Sequence, residues 1–131
     1  MKTIKMNGQD VQIMYCLATE TGFEQLSKKP AADVFNPTIT EYDDDGKPKS
    51  MLPAPATSDD YTKLAYAGIV AAYSRNGQQS PITYEYLLYD AKPTEIAELI
   101  KTIAELRNEW YNVPDIIKPE TKPKRQSKKN S

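Results

Sequence analysis

The sequence contains no histidine and one cysteine, which narrows the chemistry available to it. Histidine is the commonest general base and metal ligand near neutral pH. Glycine-rich phosphate loops, Cys-x-x-Cys pairs and Gly-x-Ser-x-Gly elbows are also absent. The remaining carboxylate candidates, Glu20 and Glu24, are spaced i,i+4, and we expect them on the solvated face of a helix. We therefore predict no enzymatic activity, no catalytic residue, no cofactor and no metal site.

The lone cysteine and the lack of long apolar runs indicate the compartment. Cys16 has no partner for an intramolecular disulfide, which is typical of reducing compartments, and we expect it to be a buried thiol. No stretch approaches the roughly 18 to 20 apolar residues that span a bilayer, and no signal-peptide pattern follows the first lysines. The composition, 39% hydrophobic and 27% charged, is that of one globular domain. We expect a cytoplasmic protein without a membrane partner.

Charge is unevenly divided along the chain. Residues 1–113 carry 11 basic and 16 acidic side chains, a net of −5, whereas residues 114–131 carry six and two, a net of +4. The second region has little apolar content, so we predict a disordered basic extension. Phosphate contacts are an alternative role, but no aromatic residue lies among the basic ones to stack on bases, so nucleic acid is not the favoured partner. The cationic candidates are Lys122, Lys124, Arg125, Lys128 and Lys129.

The first ordered segment of residues 1–113 is predicted to be a β-hairpin. Two alternating segments flank Asn7-Gly8, the preferred pair where both central turn residues need positive φ. A two-stranded hairpin alone is marginal in water, so its apolar face must pack on another element, and we expect the following helix to provide it. That apolar face consists of Ile4, Met6, Val11 and Ile13.

Apolar residues at spacings of three and four predict the helices. Their ranges are 15–28, 58–75, 82–89 and 94–111. The aromatic residues of 82–89 would suit a strand equally, and Ser58 is expected to cap the helix that it begins. Gly22 either allows another backbone to approach or is simply tolerated. The predicted fold class is mainly α with a small N-terminal β-hairpin: a compact helical domain with a long polar insert and a disordered C-terminal extension.

Residues 36–57 are the predicted polar insert. Prolines and an Asp-Gly step cannot continue a helix, so we interpret the segment as a long loop. The alternative is a second, poorly anchored hairpin that pairs residues 38–42 with residues 49–52. A calcium loop with Gly46 at its sixth position would place Leu52 where the bidentate glutamate is required. We therefore favour a solvated acidic turn.

The last predicted helix carries the seam of a two-heptad coiled coil. Ile96 begins a series of apolar residues that recur every three or four positions up to Trp110. The seam either packs on the 58–75 helix of the same chain or forms an interface with a second copy or another protein. The candidate partner-binding residues are Leu99, Ile103, Leu106 and Trp110, with Phe23 and Leu26 of the first helix as a second wall.

Three helical segments carry a family resemblance. They read ATETGFEQLSKKP, YTKLAYAGIVAAY and IAELIKTIAELRNEW. Preceded by the Asn-Gly hairpin and followed by a charged end, this order of parts resembles the small tail assembly chaperones of phages and prophages, up to about residue 113. The resemblance implies a mostly helical protein of the bacterial host cytoplasm that coats the hydrophobic tape-measure protein and helps to recruit tail-tube subunits. A nucleic-acid-associated accessory protein and a minor structural virion protein are the alternatives.

Overall fold

The structure, a computed structural model, describes residues 1–111. Four strands, four α-helices and one π-helical turn follow one another along this part of the chain. In order they are β1 (Lys2–Met6), β2 (Gln9–Ile13), α1 (Leu17–Ser27), α2 (Ala31–Phe35), β3 (Thr38–Tyr42), β4 (Pro48–Leu52), α3 (Ser58–Ser74), the π-helical turn (Tyr86–Asp90) and α4 (Pro93–Tyr111). The predicted disordered extension, residues 114–131, lies outside the described residues.

Helix α3 is the centre of the domain, because α1, α4 and β2 all pack against it. Small side chains on α3 let these neighbours approach closely. A Cβ atom at Gly68 would lie 2.7 Å from the carbonyl oxygen of Met14 and 3.0 Å from Cδ1 of Ile103. The Met14 N–H donates to the Gly68 carbonyl at 3.2 Å. Only glycine therefore fits at this crossing without a shift of the backbone.

The first hairpin forms as predicted, with φ angles of 53° at Asn7 and 75° at Gly8. Its four apolar residues are buried on one face, and Ile4 lies opposite Val11. The predicted support is wrong, however, since the hairpin packs mainly on α3 and α4. Glu95 of α4 accepts the Asn7 N–H at 2.8 Å, which fastens the turn to the start of that helix.

Residues 36–57 are not a polar loop insert, and this prediction is wrong. Strands β3 and β4 pair antiparallel through this segment, with Ile39 opposite Met51. The alternative of a second hairpin describes it correctly. With two hairpins, 18% of the described residues lie in strands and 53% in helices. The predicted class, mainly α with a single N-terminal hairpin, is therefore replaced by a mixed α and β fold.

A side-chain-supported turn explains how so polar a segment is ordered. The Asp43 carboxylate accepts the N–H groups of Asp45 and Lys47, each at 2.9 Å, and Gly46 has a φ of 81°. Aspartate and glycine are favoured in such turns for these two reasons. The acidic residues thus form the turn of a hairpin. Neither strand alternates apolar and polar residues, because both faces of the hairpin are exposed.

The β3–β4 hairpin is expected to contribute little to the stability of the domain. Every β3 side chain is exposed, and Met51 alone in β4 is partly buried. Replacing residues 38–52 by a short Gly-Ser linker should change the free energy of unfolding by less than about 1 kcal/mol in urea denaturation. Hydrogen exchange should likewise be faster in β3 and β4 than in α3. A loss above roughly 3 kcal/mol would show that the hairpin belongs to the cooperative core.

Helix α3 is capped by Thr57 rather than by the predicted Ser58. The Thr57 hydroxyl oxygen accepts the Asp60 N–H at 3.2 Å, and the Asp60 carboxylate accepts the Thr57 N–H at 3.0 Å. Burial acts to raise the pKa of Asp60, but the bonds from Thr57 and the ammonium of Lys29 outweigh it and hold that pKa below its ordinary value. This reciprocal capping box marks the start of the central helix.

Two short helical elements differ from the prediction. Helix α2 was not predicted, yet it buries Val34 and Phe35, and the Phe35 ring lies 4.9 Å from that of Phe23 between centroids. The helix predicted at 82–89 is confirmed as helical but is shifted, since helical backbone covers residues 84–90 and its last part, Tyr86–Asp90, is a π-helical turn. The five residues of α2 are too few to show a helical period, so only tertiary packing distinguishes that element from a loop.

Candidate functional site

The structure divides the six predicted partner-binding residues into two groups. Trp110 and Leu26 are exposed, at 53% and 38% of their surface. The other four are 5% exposed or less and lie in the core, three of them on α4, which packs along α3, and Phe23 on α1, where its ring packs against Phe35. Partner binding by these four would require the core to open, and it stays a prediction. The buried residues are Phe23, Leu99, Ile103 and Leu106.

An open apolar depression lies on another face, between α1 and α3. We call it the α1–α3 groove, and its volume is about 890 Å³. The two helices run antiparallel, since Lys29 after α1 pairs with Asp60 in the first turn of α3 at 3.4 Å. The groove walls include Leu17, Ala18, Leu26, Tyr66, Val70 and Ala71.

Small residues form the floor of the groove. A Cβ atom at Gly22 would lie 3.0 Å from the Cβ of Ala67, so Gly22 marks a close approach of α1 and α3 and is not merely tolerated. At the rim, Leu17 keeps 70% of its surface exposed. Large exposed leucines beside an apolar cleft are typical of protein-binding surfaces. The groove is therefore the candidate functional site.

One end of the groove holds the only thiol of the chain. Cys16 is the N-cap residue of α1 and is half-buried, so the prediction of a buried thiol inside the helix is only approximate. The Cys16 N–H donates to the Thr19 hydroxyl at 3.1 Å, and that hydroxyl donates to the Met14 carbonyl at 3.1 Å. Labelling of Cys16 by a thiol reagent can therefore report whether this end of the groove is occupied.

The carboxylates on α1 act as structural hydrogen-bond acceptors. Half-buried Glu20 accepts the hydroxyls of Tyr15, at 2.7 Å, and Tyr111, and so ties α1 to the end of α4. Burial, followed by the bond to Glu20, raises the pKa of Tyr15, while the bond to Glu20 is the main cause of the raised pKa of Tyr111. Glu24 is exposed and accepts the Ala31 N–H at 2.9 Å. The predicted solvated face is thus wrong for Glu20.

Arg107 completes this contact beside α1, and it is not among the residues predicted from the sequence. The residue is only 8% exposed, although it lies in a helix with many charged residues. Its Nη2 donates to Asn36 Oδ1 at 2.8 Å, and its guanidinium lies over the rings of Phe35 and Tyr111, 5.5 and 4.7 Å from their centroids. Stacking on aromatic faces lets arginine be desolvated at a moderate cost. The sequence feature that could have indicated the burial of Arg107 is its position beside Leu106 in the apolar seam.

The α1–α3 groove was also missed by sequence analysis. Its walls mix apolar and polar residues on the α1 side, so no single apolar stripe identifies it. The signal that existed was Gly22 in one helix and the alanine-rich face of another, which together predict close packing.

Further properties of residues 1–111 bear on the class of site. No group of three or more His, Cys, Asp or Glu side chains there is arranged to hold a metal ion. Nor does any helix in this range combine the length and apolar character needed to cross a bilayer. No family model matches the chain, and no curated protein or solved structure matches it either.

Proposed function

We propose that this protein is a non-enzymatic binding protein whose α1–α3 groove holds an apolar helix of a client. The observation that carries the proposal is the groove itself, with its Gly22–Ala67 floor and the exposed leucines at its rim. Helix-in-groove recognition uses surfaces of this kind. Together with the resemblance of the helices and hairpin, the groove supports the role of a phage or prophage tail assembly chaperone acting in the host cytoplasm on the tape-measure protein.

The dimensions of the groove favour a helix as its occupant. Helix α1 has 11 residues and is therefore about 16 Å long, which corresponds to three turns of a client helix. The small residues Gly22 and Ala67 bring α1 and α3 close together, and a client helix would lie in the groove above this contact, with its axis about 8 to 10 Å from theirs. A client helix with apolar residues at i, i+4 and i+7 would cover the groove from Leu26 to Leu17.

The β3–β4 hairpin offers a second exposed surface for the proposed role. It carries large apolar side chains that are exposed, among them Tyr42 and Leu52 at 61% and 58%. Its two-stranded sheet has unpaired edges that another chain can extend. Recruitment of tail-tube subunits, which the resemblance implies, is consistent with such a surface.

Co-expression with the tape-measure protein of the same phage or prophage tests the proposal. The client is expected to stay soluble with the full chain and to aggregate with Leu17→Asp, because the substitution replaces an exposed apolar contact of the rim by a carboxylate that must lose its water against the bound helix. The affinity loss should be roughly 30-fold or more. The matched control is Leu88→Asp, which changes a leucine that is 48% exposed and does not line the groove.

Cys16 labelling provides a second measurement of the same proposal. A bound client should slow maleimide labelling of Cys16 in the wild-type chain and should leave it unchanged in Leu17→Asp. Equal client solubility with Leu17→Asp and Leu88→Asp would remove the groove as the binding site. A client that aggregates in the presence of the wild-type chain would contradict the chaperone function itself.

Two alternative roles predict different observations. A salt-dependent shift of DNA or RNA that is lost on truncation after residue 113 would favour a nucleic-acid-associated protein, since phosphate contacts weaken with added salt. The net charge of +4 on residues 114–131 is the observation behind that alternative. Presence of the protein in purified particles would favour a minor structural virion component, whereas a chaperone should be absent from them.

A further inference from the structure

The α1–α3 groove carries charge at one end only. Arg75 is the single charged residue that lines it. The residue is exposed and caps the C-terminal end of α3, where its backbone N–H donates to the Ala71 carbonyl at 3.3 Å. Within residues 1–111 its guanidinium forms no ion pair. Near the opposite end, the ammonium of Lys63 is paired with Asp59 at 2.9 Å.

The start of α1 lies beside the end of α3 at the Arg75 end, so the opposite ends of the two helix dipoles offset each other there and Arg75 supplies the net positive charge. The antiparallel packing of α1 and α3 places Cys16 and Leu17 at this end, and both line the groove. The first N–H groups of a helix have no partner inside it, and they carry the positive end of the helix dipole. Arg75 also compensates the negative end of the α3 dipole, a role that would need no ligand. Exchange of the charge at the end of the client helix separates the two roles.

We propose that the groove selects client helices whose apolar stripe ends in an aspartate or glutamate, and that Arg75 is the residue that determines this specificity. The client carboxylate lies against the Arg75 guanidinium and the start of α1, while the apolar stripe covers the floor at Gly22. This inference rests on the proposed helix binding. It adds the orientation of the client helix along the groove. The complementary charge at one end only allows one orientation of a client helix and disfavours the reverse.

Two fluorescent helical peptides with the same three-turn apolar stripe test the inference. One ends in glutamate and the other in lysine, and each is titrated into the full-length protein. The wild-type chain is expected to bind the glutamate peptide roughly two- to fivefold more tightly, the effect of one exposed ion pair. The variant Arg75→Glu should prefer the lysine peptide. Salt at about 1 M should abolish both preferences, because the screening length falls to roughly 3 Å.

Lys101→Glu is the matched control, since it makes the same charge change at an exposed position of α4 that does not line the groove. It should keep the preference for the glutamate peptide. Equal binding of both peptides to the wild type and to Arg75→Glu, with binding lost in Leu17→Asp, would overturn the charge selection and leave helix binding intact. Failure of the wild type to bind either peptide would overturn both.

Discussion

Phe23→Ala is expected to lower the free energy of unfolding by about 3 to 5 kcal/mol, the usual cost of removing a buried phenyl ring. Phe23 is fully buried on α1, and its ring packs edge-on against Phe35. Phe35 in turn contacts Tyr61 of α3, with 5.0 Å between ring centroids, so one deletion loosens three elements. Urea denaturation followed by circular dichroism measures the change. Small domains are stable by roughly 5 to 15 kcal/mol, so this loss is a large fraction of the total stability.

Leu17→Ala is the control for this substitution. It shortens an apolar side chain on the same helix at a position that is 70% exposed, and we expect a change within about 0.5 kcal/mol. A loss below 1 kcal/mol for Phe23→Ala would show that the ring is not part of the packed core. A large loss would mean that binding assays on Phe23 variants report folding, so Leu17 and Leu26 are the appropriate probes of binding by α1.

Gly68→Ala is expected to destabilise the protein by about 1 to 3 kcal/mol, although alanine favours a helix by roughly 1 kcal/mol over glycine. The added Cβ would lie 2.7 Å from a backbone oxygen, that of Met14, and a backbone atom cannot rotate away as a side chain can. The Met14–Gly68 hydrogen bond would be displaced as well. Fluorescence of Trp110, the only tryptophan, can follow unfolding in urea.

Gly22→Ala is the comparison that isolates the backbone contact. Its Cβ would meet the Cβ of Ala67 at 3.0 Å, so a small outward shift of α1 relieves the contact. The gain in helix propensity should nearly offset that cost, leaving a change within about 1 kcal/mol of zero. Stabilisation by Gly68→Ala, as at an exposed helical glycine, would contradict the close crossing of α3 with the end of the first hairpin.

The parts of the fold that were predicted correctly depend on interactions between residues close in sequence. Asn7-Gly8 specifies a turn by its own backbone preferences, and the 94–111 helix shows its period over five turns. The parts that were missed depend on distant residues. The Asp43 carboxylate closes a hairpin that no apolar alternation indicates, and α2 is too short to show a period.

The candidate site was predictable to a smaller extent. The six predicted partner-binding residues were chosen because their spacing is helical. Helical spacing shows that one face of a helix is apolar, but it does not show which element covers that face. Leu106 and Trp110 belong to one seam, yet the first is buried and the second is half exposed, because the hairpin and α3 cover only part of α4. The exposed and buried residues of one stripe are distinguished only by the neighbouring elements.

The first hairpin, the approximate extents of α1, α3 and α4, and the lack of histidine chemistry follow from the sequence, because each depends on composition or on residues a few positions apart. The packing of the first hairpin on α3 and α4, and the open groove bordered by Leu17, Leu26 and Arg75, depend on contacts between distant elements. Burial depends on how closely such elements approach. Gly22 contacts Ala67, 45 positions away, and Gly68 contacts Met14, 54 positions away. These two contacts set the distances between the elements.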